Sequence, residues 1–215
     1  MNDNIVDLVK NALIKASTTF SNDKKKQYNK CLSCEKNKNA KWVLKSIIDN
    51  ASVAEKNESP LCDDTGIPHI VLEIGPNVSL TGSMLIDIEK GIKEGLKKLP
   101  GRPMAIVGSD YERLGQLKGI SNNPEDVEPA PFLIRRIEED VLRLNILMFG
   151  GGPAIRAKTF RVFHKHDTNE VINTIVEWAD SMVLELGCSP CTLAIGIGRS
   201  HYEASSLMID IKKLH

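Results

Sequence analysis

The segment Cys62-Asp63-Asp64-Thr65-Gly66 puts one thiol and two carboxylates into a single glycine-ended stretch. Neighbouring negative charge raises a thiol pKa, so this cysteine is a poor nucleophile. The same grouping makes sense around a cation, because a bound metal reverses the local pKa logic and keeps the thiol deprotonated. Joined in space by Cys188 from a second loop, it fits an iron–sulfur cluster whose ligands are scattered along the chain. On composition alone, the simpler alternative is a buried free cysteine next to an Asx turn.

Two other features compete for attention. Cys31-Leu32-Ser33-Cys34 and Cys188-Ser189-Pro190-Cys191 are Cys-x-x-Cys pairs that together carry four thiols, the donor set of a structural zinc. Zinc ribbons usually bring their pairs within about 15–20 residues, and these lie much farther apart. A redox role for the second pair lacks the activating helix N-terminus, since the motif precedes a strand-like run. The third feature is Gly150-Gly151-Gly152-Pro153, followed by Arg156, Lys158 and Arg161. Consecutive glycines let backbone N–H groups converge on an anion such as a carboxylate or phosphate.

These residues need elements to position them. Ile5, Val6, Leu8, Val9, Leu13 and Ile14 have helical spacing, and the run Lys24-Lys25-Lys26 that interrupts them reads as a solvated face. Val43, Ile47, Ile48, Ala51 and Ala54 line a second long helix that runs up to Pro60. After the Cys62 loop, Ile70 to Ile74 reads as a strand, and Leu85, Ile88, Ile92, Leu96 and Leu99 as a further helix closed by Pro100-Gly101. The proline-punctuated stretch from Asn122 to Pro131 reads as a surface loop. Phe132 to Ile137 and Val141 to Met148, with Glu138-Glu139-Asp140 between, are expected to form a hairpin. A helix over 167–186 with Asp167 or Thr168 as N-cap, a buried strand from Leu193 to Ile197 and a last helix from Tyr202 to Leu214 complete the chain. The interspersed elements give an α+β class, with a mixed or antiparallel sheet packed by amphipathic helices in one domain over residues 1–215.

Composition narrows the function. The 215 residues carry 28 Lys+Arg against 28 Asp+Glu, and that neutral balance argues against a nucleic-acid binder, which needs clustered cations for phosphates. With 41% hydrophobic residues and five cysteines, the chain has core enough to do without disulfide stapling. No run approaches the roughly 18 apolar residues of a membrane helix. The N-terminus, with Asp3 and Asp7, lacks the features of a targeting peptide, so a cytoplasmic protein is expected.

Taken in order, Pro60-Leu61-Cys62-Asp63-Asp64-Thr65-Gly66, the Gly150-Gly151-Gly152 loop and Leu186-Gly187-Cys188-Ser189-Pro190 running into Leu193-Ala194-Ile195-Gly196-Ile197-Gly198 resemble the class I fumarate hydratase and tartrate dehydratase family, in its α subunit or equivalent N-terminal domain. The resemblance extends over nearly the whole chain. It implies a [4Fe-4S] cluster held by three cysteines and a hydro-lyase acting on a small dicarboxylate. It places Cys62 and Cys188 on cluster ligands, Asp64 on an active-site aspartate, and Gly150, Gly151 and Gly152 on a loop lining the substrate pocket. Arg102 falls where an arginine binds a substrate carboxylate, and Asp63 where the family usually has a glutamine that donates to substrate.

The resemblance also implies a β subunit that supplies the base, and an oligomer. The family's third cysteine, in a Cys-Trp element, has no counterpart before His215, so the chain is expected to lack the family's C-terminal segment. A non-catalytic homologue that binds a dicarboxylate or a partner subunit, and a cysteine-based zinc or redox module, are the other readings.

Overall fold

Val6, Val9 and Leu13 are all buried, one helical turn apart, and the first helix closes the core with that stripe. The computed structural model of the chain describes residues 3–62, 64, 66–99, 107–115, 117–151, 157–185 and 191–210. Contacts divide the chain into two compact units, Met1–Gly151 and Gly152–Leu214.

In the first unit, helices α1 (Asp3–Thr18), α2 (Asn22–Cys34) and α3 (Lys38–Asn57) precede strand β1 (Ile67–Ile74). Helix α4 (Gly82–Lys98), the short α5 (Asp110–Gly115), a 3-10 turn at Pro124–Asp126, and strands β2 (Leu133–Arg136) and β3 (Leu142–Phe149) follow. Side chains start the helices where backbone N–H groups lack partners: Ser21 caps α2, Asn37 caps α3 and Thr81 caps α4. The lysine run lies in the first turns of α2, with Lys24 and Lys26 exposed as expected. In α3 the buried stripe runs through Leu44, Ala51 and Ala54, and Val43, read as part of it, is exposed.

The core joins Val9 and Leu13 of α1, Ile70 and Leu72 of β1, and Ile88, Ile92 and Leu96 of α4, with Leu99 and Val127. Gly91 and Gly95 let α1 and α4 approach closely. A Cβ at Gly91 would sit 2.7 Å from the Val6 carbonyl oxygen, and one at Gly95 3.1 Å from a Leu13 methyl. Alternate residues of β1 feed the core, which is why Ile70 and Leu72 are buried on one face.

The expected hairpin does not form. The sheet order is β2-β1-β3, with β2 parallel to β1 and β3 antiparallel to it, so β1 separates the two segments. The most buried strand, β1, takes the centre, where both edges are paired. Residues 138–140 carry the chain across the end of β1, where Ile137 N–H donates to the Ile74 carbonyl and Gly75 N–H to the Val141 carbonyl. Asp140 pins this crossing by accepting from the backbone and side-chain nitrogens of Asn77 at 3.0 and 3.2 Å. A three-residue link between two strand-like runs is therefore a stride over one strand rather than a turn. The α+β class with a mixed sheet is what the structure shows.

The second unit holds α6 (Thr168–Met182), a 3-10 turn at Val183–Glu185 and α7 (His201–Met208). Asp167 caps α6, accepting from Asn169 N–H at 2.8 Å. The buried strand expected from Leu193 to Ile197 is absent: residues 191–198 belong to no strand, and Leu193, Ile195 and Ile197 are 39%, 48% and 70% exposed. The alternation is real but its faces are reversed. Gly196 and Gly198 lie against the backbone of α7, where a Cβ at Gly198 would come within 2.5 Å of the Ala204 nitrogen, and the large side chains turn away. Ser200 caps α7 by accepting from Glu203 N–H, and the Glu203 carboxylate accepts from Arg199 N–H, a Ser-x-x-Glu signal that hydrophobic periodicity passes over. No helix is long and apolar enough among the described residues to cross a membrane.

Candidate functional site

The antiparallel register of β1 and β3 assembles the site. Ile67 pairs with Phe149, so the segment before β1 and the segment after β3 leave the sheet at the same end. These are the Cys62 loop and the glycine loop. Gly66 holds a φ of +84°, and a Cβ there would lie 2.5 Å from the carbonyl carbon and oxygen of Phe149 and 2.8 Å from the nitrogen of Gly150. Only glycine combines this left-handed backbone with so close an approach.

Beyond Gly66 the two loops are tied directly. Gly151 N–H donates to Asp64 Oδ1 at 3.1 Å across 87 residues of sequence. The glycine loop, expected as a nest for a ligand anion, thus aims this N–H at the protein's own carboxylate. Asp64 is half-buried, and the bond fixes the direction its carboxylate faces.

Cys62 is exposed, which sets aside the alternative of a buried free cysteine. Its loop is launched from α3 by Glu58, a non-glycine residue at φ 50° and ψ 39°, with Ser59 N–H bonded to the Ala54 carbonyl at 3.0 Å. Pro60 then fixes its own φ. Leu61 is held on both sides, its N–H donating to the Ser17 carbonyl and its carbonyl accepting from Asn50 Nδ2, each at 3.0 Å. Sequence reasoning misses Asn50, because a polar residue on an exposed helix face gives no signal of such a role.

His69, also missed, lies on β1 near the same end. Its Nδ1–H donates to the Ile67 carbonyl at 3.0 Å, which leaves Nε2 as the ring's acceptor, and the ring meets Phe149 edge-on at 5.6 Å between centroids. The available signal is a histidine inside an apolar run.

Cys62, Asp64, Gly150 and Gly151 therefore belong to one sheet end, while Asp63, Arg102, Gly152 and Cys188 lie outside the described residues. Cys31 and Cys34 sit one turn apart in α2, the first half-buried and the second exposed, and Cys191 is exposed in the second unit. Among the described residues no three His, Cys, Asp or Glu side chains converge on a metal position. The donor chemistry at the sheet end nevertheless suits an iron–sulfur group: an exposed thiol on a loop held through the Leu61 backbone on one flank and the Asp64 side chain on the other.

Residues 6–212 match the family described as fumarate hydratase (fumerase). A protein of Methanocaldococcus jannaschii, named as a candidate L(+)-tartrate dehydratase subunit alpha, is 27% identical over 202 residues, covering 92% of this chain and 67% of that relative.

Proposed function

The chain belongs to the fumarate hydratase family, and from that premise we propose that it is the α-type half of a hydro-lyase that adds or removes water on a small dicarboxylate. The observation that carries the reading is the Gly151 N–H bond to Asp64, which joins the Cys62 loop and the glycine loop at one sheet end. The relative's name as an alpha subunit supports a β partner.

Cys62 and Cys188 are the residues that would hold a [4Fe-4S] cluster. When bound, that group supplies an electrophilic iron for the substrate's hydroxyl or carboxylate oxygen. The chain's own groups do the rest. Asp64, oriented by Gly151, assists in moving the proton at its carboxylate, while the base that takes the proton from the adjacent carbon comes from the β half. Arg102 and the backbone N–H groups of Gly150 and Gly152 hold the dianion, Arg102 by paired charge-assisted bonds. Asp63 stands where an amide would donate to substrate, and a carboxylate only accepts unless protonated. The dicarboxylate therefore presents a donor such as a hydroxyl to Asp63, which malate, tartrate or a related hydroxy acid supplies. The chain works in the cytoplasm, where reduced thiols persist.

Anaerobic purification with a β partner, followed by iron and sulfide analysis and assays of fumarate hydration and tartrate dehydration, tests the reading. Iron and acid-labile sulfide with dehydration of a dicarboxylate support it. Zinc in place of iron, or no water transfer on any dicarboxylate from the loaded complex, overturns it.

A further inference from the structure

Asn50 lies in the middle of α3, exposed, with no role in the helix's own capping. Asparagine is a poorer helix former than alanine, because its side chain competes for backbone groups. Its side-chain amide reaches out of the helix to the Leu61 carbonyl, 11 residues on and immediately before Cys62. The same peptide segment is gripped from the other side, where Leu61 N–H donates to the Ser17 carbonyl of α1. The left-handed Glu58 and the fixed φ of Pro60 limit the path between α3 and that grip. Past the cysteine, Asp64 is tied to Gly151. Cys62 thus sits between two anchored points, and Asn50 supplies the side-chain half of the first.

We propose that Asn50 is a positioning residue for Cys62, holding the thiol-bearing loop in its metal-ready arrangement before any cluster is present. The proposal rests on the reading of Cys62 as a cluster ligand, and its test separates the two. It goes beyond the family match, which assigns no role to any residue of α3. A single net hydrogen bond shifts a local equilibrium roughly two- to tenfold, which sets the expected scale.

In the metal-free full-length chain, limiting iodoacetamide is followed by peptide mass spectrometry, and the Cys62:Cys34 labelling ratio is read. Cys34, exposed on α2, is the internal reference. Asn50→Leu, which keeps the size but loses the donor without adding charge, and Asn50→Ala are each expected to raise the ratio roughly two- to tenfold. Ser52→Ala, an exposed change on the same helix, leaves it unchanged. After reconstitution with iron and sulfide beside the β partner, both Asn50 variants lose iron to a chelator faster by a similar factor. An unchanged labelling ratio overturns the proposal. A raised ratio with unchanged chelator kinetics also overturns it, since Asn50 then shapes the loop without serving the ligand. A raised ratio in the variants, together with a native chain that takes up no iron even with its partner, removes the cluster reading itself and leaves the clamp as a purely structural device.

Discussion

Replacing Gly66 by alanine tests whether the close approach of the two loops builds the site. Two costs add. A φ of +84° is unfavourable for any residue with a Cβ, by about 1–2 kcal/mol. The new methyl also meets fixed backbone, 2.5 Å from the carbonyl of Phe149, rather than a side chain that can swing aside, and overpacking of that kind costs about 1–3 kcal/mol. The lower entropy of the unfolded chain returns about 0.4–1 kcal/mol. The expected net loss is about 2–4 kcal/mol.

Gly119 separates the two contributions, because it holds a similar φ of +76° with nothing within 4 Å of the point a Cβ would occupy. Gly119→Ala should lose only about 0.5–1 kcal/mol, the dihedral cost less the entropy return. Urea unfolding of both variants reads the difference, and in a unit of this size the heavier loss appears as a Tm drop of about 5–15 °C. Amide exchange at Gly151 should quicken in Gly66→Ala and not in Gly119→Ala, because the loops are pushed apart only in the first. If Gly66→Ala is no worse than Gly119→Ala, the contact with Phe149 does not hold the site together and the reasoning fails.

Asp64→Asn keeps an oxygen to accept from Gly151, so its Tm should stay within a few degrees of the native value, while water transfer in the complex falls about 10²–10⁴-fold. Equal loss of both would mean that Asp64 is a structural tie alone. Cys62→Ser and Cys188→Ser should each abolish iron binding, and Cys31→Ser, a change within α2, should leave it intact, as elemental analysis will show. Arg143→Met strips the ion-pair partner, 3.0 Å away, from the buried Glu73. Because Arg143 is partly solvated, a loss of about 1–3 kcal/mol is expected in chemical denaturation. Glu203, whose carboxyl is held below its usual pKa first by the hydrogen bond from Arg199, contributes to the start of α7 above the ordinary carboxylate range. That contribution is lost as pH falls through the lowered folded pKa, so NMR signals of α7 should broaden on acidification before those of α1.

Periodicity makes the helices legible. Val6, Val9 and Leu13, or Leu85, Ile88, Ile92 and Leu96, repeat at mixed spacings of three and four, which a helix brings to one side and a strand would divide between its faces. The site is legible as motifs, since Cys62 and Gly150 are marked by residue type. What joins them is not. Strand order depends on which segment is apolar enough to be covered on both edges, so β2 and β3, close in sequence, look like partners when each pairs with β1. Apolar character misleads in the same way at Leu193 to Ile197, where the glycines between the large residues make the packed face. Asn50 is invisible because its partner is a backbone carbonyl, and backbone acceptors leave no mark on sequence.

The strand order also sets a timetable. Asp64 and Gly151 stand 87 residues apart, and closing a loop of that length costs about 4 kcal/mol of chain entropy, more than their single bond returns. The bond can close only after the eight-residue ladder of β1 and β3 has zipped. A chain still being synthesised, or any fragment that ends before Phe149, carries the cysteine loop without the frame that orients it. On the cluster reading proposed above, the capacity to hold a cluster arrives late in folding, with β3, the last strand of the sheet.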